Sequence, residues 1–229
     1  MLAPVATAPE LVTGERMDVE EFLRRWDELP ELKNAELIDG VAYVSSPVSL
    51  EPGDLDTLIH MWLAYYAQAT PGCRAGSNST WLMLDSAPQP DAALRILPAY
   101  GGLSRVRTRR KKRYSAGAPE LAVEVCLAST DVDFGPKRKL YQRAGVQEYI
   151  TIEALLERII WRVLDENHVY SFQLTTDDGI LRSRVFPGLW LDVAAFWAND
   201  GAKMLAALNA GIASEDHQRF VGRLGRRGK

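Results

Sequence analysis

The stretch Glu120-Leu121-Ala122-Val123-Glu124-Val125-Cys126-Leu127 decides how this chain is read. A short, nearly continuous apolar run of this kind predicts a strand in the interior of a sheet, buried on both faces. Alternation along a strand puts Glu120, Ala122, Glu124 and Cys126 on one face and Leu121, Val123 and Val125 on the other. Glu124 violates the burial pattern. A carboxylate inside a buried strand is expensive unless it is paired or holds a metal, so position 124 is the first candidate for chemistry.

Reading outward toward the C-terminus, residues 131–144 suit a helix, with Asp131 as a possible cap and Gly145 as its stop. The short connection from the strand folds the first turns of this helix back over the strand ends. Lys137 sits there, with Tyr141 four residues on and on the same face, and Leu140 is the expected anchor. Further strands are expected at Val146–Ile152, Ile159–Val163 and Val169–Leu174, a turn at Asp177-Asp178-Gly179, and helices near Val193–Trp197 and Ala202–Leu208. The polar, basic tail 213–229 is expected to fray.

Toward the N-terminus, Asp91 follows Pro90 and opens a strand running to Ile96, where a neighbouring strand could offer it to Glu124. Short strands are expected at Cys73–Ala75 and Thr80–Leu84. Leu55, Leu58, Ile59, Trp62, Leu63 and Tyr66 recur at helical spacing after a break at Pro52-Gly53. Asp39-Gly40 supplies the positive φ angles of a type I′ turn between Ala35–Ile38 and Val41–Val44, which predicts a β-hairpin. Asp18 with Glu21 starts a helix in capping-box fashion. The expected organisation is a loose arm over 1–14, a single α/β domain over 15–212 with a mixed central sheet flanked by helices, and the tail.

The whole chain has 229 residues and a formal net charge of −3, so no global field favours nucleic acid. Cys73 and Cys126 form neither a CxxC pair nor a zinc spacing and read as two reduced core thiols of a cytoplasmic protein. No basic leader precedes an apolar run, and no stretch is long and apolar enough to predict a membrane span.

Two converging carboxylates, Asp91 and Glu124, are a hard-oxygen site suited to Mg²⁺ or Mn²⁺. Taken singly, Asp91 reads better as a strand cap and Glu124 as the partner of an arginine, and Lys137-Arg138-Lys139 reads by default as a solvated face. Arg105–Arg113 holds seven cations in nine residues. It suits a phosphate-contacting arm, with Arg107, Arg109, Arg110, Lys111, Lys112 and Arg113 on the backbone, and equally a solvated hairpin loop. Trp62, Trp81, Trp161, Trp190 and Trp197 read as core or interface residues.

The run GAPELAVEVCLASTDVDFGPKRKLYQRAGVQEYI, preceded by QPDA and by AELIDGVAYVSSPV, resembles the Uma-two family of restriction endonucleases, within the PD-(D/E)XK nuclease superfamily. The resemblance spans about residues 15–198. It implies that Asp91 is the Asp of the PD element and Glu124 the acid of the next strand. The superfamily lysine usually stands two residues after that acid. Here Cys126 holds that position, and Lys137 on the following helix matches the lysine instead. Glu36 in ELIDG is similar to a further acid that reaches the metal through water, while Asp133, Tyr141 and Glu148 match the acid before the lysine, the tyrosine after it and the acid of VQEY. Many members carry a His near the start of the helix after the hairpin. This chain has Asp56 there and His60 one turn later.

The resemblance implies a nuclease core without naming a substrate. The leading reading is a Mg²⁺-dependent endonuclease acting on DNA, and a homodimer is expected because two symmetric sites most simply cut both strands of a duplex. Asp91 and Glu124, with Glu36, would hold the ion, and Lys137 would act on water or phosphate. The rival is a nuclease fold without catalysis that binds nucleic acid or a protein.

Overall fold

The computed structural model describes residues 10–44, 50–127 and 132–228. Helix α1 spans Val19–Asp27, and the Asp18 carboxylate accepts from the Glu21 backbone N–H at 2.8 Å. Strands β1 (Ala35–Ile38) and β2 (Val41–Val44) form a hairpin of their own, with φ +51° at Asp39 and +75° at Gly40, the positive pair the turn requires. Helix α2 covers Leu50–Ala69. It begins before the expected break, because Pro52 and Gly53 fall in its first turn, where a proline ring leaves no intrahelical donor wanting.

There follow β3 (Cys73–Ser77), β4 (only Trp81–Leu82), β5 (Ala92–Ile96), β6 (Arg105–Arg109), β7 (Lys112–Ala116) and β8 (Leu121–Cys126). A π-helical turn at Asp133–Lys137 then runs into α3 (Arg138–Ala144). The expected cap Asp131 lies outside the described residues. The chain continues as β9 (Glu148–Glu153), β10 (Arg158–Leu164), β11 (Tyr170–Gln173), β12 (Ile180–Arg182), β13 (Trp190–Asp192), α4 (Val193–Trp197), α5 (Gly201–Ile212) and α6 (Glu215–Arg227).

Six strands form the central sheet in the order β11-β10-β9-β8-β5-β3. It is mixed: β8 runs parallel to β9 and antiparallel to β5. The decisive strand is thus interior, as its apolar run implies. On one face Leu121 and Val123 enter a core with Trp62 and Tyr66 of α2, Trp161 of β10 and Leu208 of α5. On the other, Ala122 packs with Leu140 and Tyr141 of α3, and with Ile38, Trp81 and Tyr149. The β1–β2 hairpin docks on that second side, held by reciprocal backbone bonds between Leu37 and Ala87 and by the Ser86 hydroxyl, which accepts from the Asp39 N–H at 2.9 Å.

The C-terminus departs from expectation. Residues 215–227 form α6, whose N-cap Ser214 accepts from the His217 N–H at 3.3 Å. His217, Phe220 and Leu224 are buried, and the Thr70 hydroxyl lies 2.9 Å from His217 Nε2. Three buried residues at helical spacing among arginines are a weak stripe, so polarity concealed the helix. The long run of cations at 105–113 is likewise structured: β6 and β7 pair in antiparallel register around Arg110 and Lys111, both at positive φ.

Candidate active site

Antiparallel pairing of β5 with β8 sets Ala92 opposite Val123 and Ala93 opposite Ala122. One step further, that register places Asp91 opposite Glu124, at the mouth of the strand pair and on the same face. Asp91 is fixed there because its Oδ2 accepts from the Val125 N–H at 2.7 Å. Glu124 is 2 % exposed. Its Oε1 accepts from the Tyr141 hydroxyl at 2.8 Å and its Oε2 meets Lys137 Nζ at 2.9 Å.

Lys137 is the centre of the arrangement. Its Nζ also lies 2.9 Å from Glu36 Oε1 and 3.6 Å from Asp133 Oδ1. Glu36 comes from β1, Glu124 from β8 and Asp133 from the π-helical turn, so three separate segments converge on one ammonium. The same Glu36 oxygen accepts from the Gln89 N–H at 2.5 Å. The π-helical turn places Lys137 over the sheet while Tyr141, one turn on, reaches the other Glu124 oxygen. The sequence placed Lys137 on an exposed helix start; the structure buries it at 3 % exposure. Three carboxylates within reach make that burial tenable, since a lone ammonium could not stay charged there.

Burial pushes the Glu124 carboxyl well above its usual range, against the opposing pull of Lys137. Burial also lifts Asp91 to about 6, again opposed by Lys137 and by the Val125 N–H. Burial works against the charge of Lys137, and Glu124 and Glu36 more than offset it, so its pKa rises.

His60 of α2 adjoins Asp91. Its Nδ1 lies 2.7 Å from the Asp56 carbonyl oxygen, and its Nε2 lies 3.1 Å from that of Asp91. Carbonyls only accept, so both ring nitrogens must donate for both bonds to form, which is the imidazolium. The Asp56 side chain beside it raises the His60 pKa. Glu148, by contrast, lies on the opposite face of the sheet. Its carboxylate accepts from the Ser183 hydroxyl at 2.6 Å and from the Arg184 N–H at 2.7 Å.

The basic hairpin is partly spoken for. Arg110 and Lys112 reach Asp27 of α1 at 2.9 and 2.5 Å, and Arg109 pairs with Glu20. Arg107, Lys111 and Arg113 are exposed and form no ion pair among the described residues. A groove of about 880 Å³ beside this hairpin is lined by Arg105, Arg107 and Arg109 together with Asp18, Glu20 and Asp85. Among the described residues no three His, Cys, Asp or Glu side chains form a ready-made metal cage. Lys137 Nζ occupies the point toward which Glu36 and Glu124 both turn. Sequence reasoning passed over Gln89 and Arg162. The signal for Arg162 was the same as for Glu124: a charge inside an apolar strand, Ile159-Ile160-Trp161-Arg162-Val163.

Comparison with known proteins bears on this geometry. A model of the Uma2 family, described as "Putative restriction endonuclease", matches residues 19–194. The fold is similar to a crystal structure described as that of "a putative nuclease belonging to DUF820" from Anabaena variabilis ATCC 29413. The TM-score is 0.60 at 13 % identity, covering 80 % of this chain and 98 % of that one. No curated protein matches. Helices α5 and α6 lie beyond the matched family region. No helix among the described residues is long and apolar enough to cross a membrane.

Proposed function

Because this chain belongs to the Uma2 family, we propose that it is a Mg²⁺- or Mn²⁺-dependent endonuclease hydrolysing phosphodiester bonds of DNA. The observation that carries the reading is the convergence of Glu36 and Glu124 on Lys137, each at 2.9 Å, with Asp91 in register beside Glu124. The donor chemistry fits a hard divalent cation. Asp91, Glu124 and Glu36 offer only carboxylate oxygens. Asp91 and Glu124 would hold the cation, with Glu36 reaching it through water. The cation's contribution when bound is to polarise a phosphoryl oxygen and ease the ionisation of a water.

The chain's own groups do the rest. Lys137, kept protonated by Glu124 and Glu36, presents an ammonium to the non-bridging oxygens of phosphate as charge builds there. Tyr141 fixes the orientation of Glu124, and the Gln89 N–H fixes Glu36. In the hydrolysis, water oxygen bonds to phosphorus, the bond from phosphorus to the leaving sugar oxygen breaks, and that oxygen takes up a proton. Arg107, Lys111 and Arg113 are free to contact the DNA backbone. Cutting both strands of a duplex is simplest with two symmetric sites, so the reading includes a homodimer. Trp190 is half-buried, with Arg182 over its ring at 4.5 Å.

The test is cleavage of DNA and RNA substrates with Mg²⁺, with Mn²⁺ and with EDTA, beside Glu124→Gln. Cation-dependent cleavage of DNA that Glu124→Gln abolishes is the expected result. Nucleic-acid binding without cleavage under any cation would replace this reading with the non-catalytic one. Sedimentation at micromolar concentration tests the dimer.

A further inference from the structure

Arg162 is the one arginine that is buried among the described residues, at 6 % exposure. It lies on β10 opposite Tyr149 of β9, and Tyr149 lies opposite Ala122 of β8. That register turns Arg162 to the face that carries Glu124, while Trp161 and Val163 enter the core on the other side. Its guanidinium carbon sits 5.4 Å from the ring centroid of Phe134 and 5.4 Å from that of Tyr149. Phe134 belongs to the π-helical turn that bears Lys137, so the cation lies beneath the segment that forms the candidate active site.

One of its N–H groups is taken: Nη1 donates to the Thr151 hydroxyl at 2.9 Å. No carboxylate of the described residues forms an ion pair with it. A guanidinium has five N–H donors, and the two rings attract its charge without accepting those hydrogens. The bland account is a cation–π latch holding the π-helical turn to the sheet. A latch gains nothing from a second cation, yet Arg138 stands close enough to repel Arg162. Arg138 donates through Nε to the Phe134 carbonyl at 3.0 Å and likewise has no carboxylate partner among the described residues. Glu153 is the carboxylate of the described residues that acts on Arg162, and it does so from beyond ion-pair distance. Arg162 under the Phe134 ring and Arg138 on the Phe134 carbonyl are thus two neighbouring guanidinium groups, one of them buried, with N–H donors to spare for an anion. The flat fork of arginine matches phosphate.

We propose that Arg162 and Arg138 form a phosphate-binding pair that anchors the nucleic-acid strand next to the phosphodiester presented to Glu124 and Lys137. This rests on the nuclease reading and adds the strand's own phosphate as the ligand of a second site.

The test separates binding from catalysis. A short fluorescein-labelled DNA duplex is titrated in EDTA over a series of salt concentrations, with wild type, Arg162→Met, Arg138→Ala and the exposed control Arg74→Ala. The slope of log K against log salt changes by about 0.9 for each phosphate contact on duplex DNA. Arg162→Met and Arg138→Ala should each bind more weakly and lose about one contact's slope, whereas Arg74→Ala should match wild type. Wild-type slopes for both Arg162→Met and Arg138→Ala overturn the proposal. Should Arg162→Met fail to fold, Arg138→Ala alone decides, since its partly exposed side chain tolerates removal. Slope losses in a protein that cleaves nothing would uphold the phosphate pair while the catalytic reading falls. Wild-type slopes in a protein that does cleave would do the reverse.

Discussion

Glu124 and Glu148 sit on neighbouring parallel strands, 2 % and 0 % exposed, and burial raises both carboxyls. Their partners differ in kind. Glu148 accepts from a serine hydroxyl and from the backbone N–H groups of Arg184 and Val185. These are fixed dipoles, and the result is a staple that ties the loop after β12 to the sheet. Glu124 meets an ammonium and a phenol, two side chains on one helical segment. Its surroundings carry charge, and so can answer a cation or a phosphate. Burial of an acid is therefore no guide to function by itself. The nature of the compensating group separates a structural carboxylate from a chemical one.

The largest expected effect tests that separation directly. Glu124→Gln should lower kcat on the order of 10³-fold, the scale seen when one preorganised charge-stabilising group is lost. Glu148→Gln should leave kcat within a few-fold of wild type once both proteins are shown to be folded. Steady-state cleavage rates decide, and equal losses from the two substitutions would erase the distinction.

Lys137 sharpens it from the other side. Lys137→Ala leaves Glu36 and Glu124 buried without their cation, and removing one member of a buried ion pair costs about 3–5 kcal/mol. Lys139, two residues along and exposed, should cost within about 0.5 kcal/mol when replaced by alanine. Urea denaturation without divalent cation measures both. Adding Mg²⁺ should restore more stability to Lys137→Ala than it gives wild type, because the carboxylates then lack any other counter-charge and binding to the native state stabilises by mass action. A Lys137→Ala protein as stable as wild type in EDTA would mean that the triple ion pair does not form in solution.

These contrasts also show what the sequence could and could not reveal. Glu124 was legible because a charge in an apolar run is an anomaly in one dimension, and Asp91 because Pro90 marks the strand entry. The β1–β2 hairpin was legible from Asp39-Gly40, whose turn chemistry is local. The burial of Lys137 was not legible, since it depends on Glu36, a hundred residues away in the chain, arriving on a separate hairpin. The ties of Arg109, Arg110 and Lys112 to α1 were hidden for the same reason. Helix α6 was missed because its buried stripe of His217, Phe220 and Leu224 is diluted by arginines. Side-chain pairing between distant segments is the part that periodicity does not encode.

A smaller effect concerns pH and is read at Glu148 by comparing wild type with a variant that removes only this carboxyl. Its pKa is pushed up to about 7 in the fold by burial, against an ordinary value of 4.5. The folded state thus holds the proton more tightly than the unfolded chain. Its contribution to stability is fully present below about pH 4.5 and is lost as pH rises to about 7, a change of about 3 kcal/mol. Glu148→Gln removes this titration. The stability difference between wild type and Glu148→Gln, measured by denaturation from pH 4.5 to 8, should therefore move in favour of the variant as pH rises. A difference that stays flat across that window would show that the three donors hold Glu148 ionised throughout.

The smallest effect compares the neutral donors on the two acids, Tyr141 and Ser183. Tyr141→Phe removes the hydroxyl that donates to Glu124 Oε1, and Ser183→Ala removes the one that donates to Glu148 Oε2. Each leaves a buried acceptor short of one bond, which costs about 1–3 kcal/mol. Ser183 also accepts from the Phe186 N–H at 2.8 Å, so its loss strands a second group and should be the more destabilising of the two. Activity should rank them the other way. Tyr141 orients a proposed metal ligand, and loss of such an orienting partner lowers activity or metal affinity by about 10–100-fold. Ser183 supports a loop on the far face of the sheet and should leave the cleavage rate of the folded protein unchanged. Melting curves and cleavage rates on the same two preparations give both rankings, and a Tyr141→Phe protein that cleaves as fast as wild type would remove Tyr141 from the site.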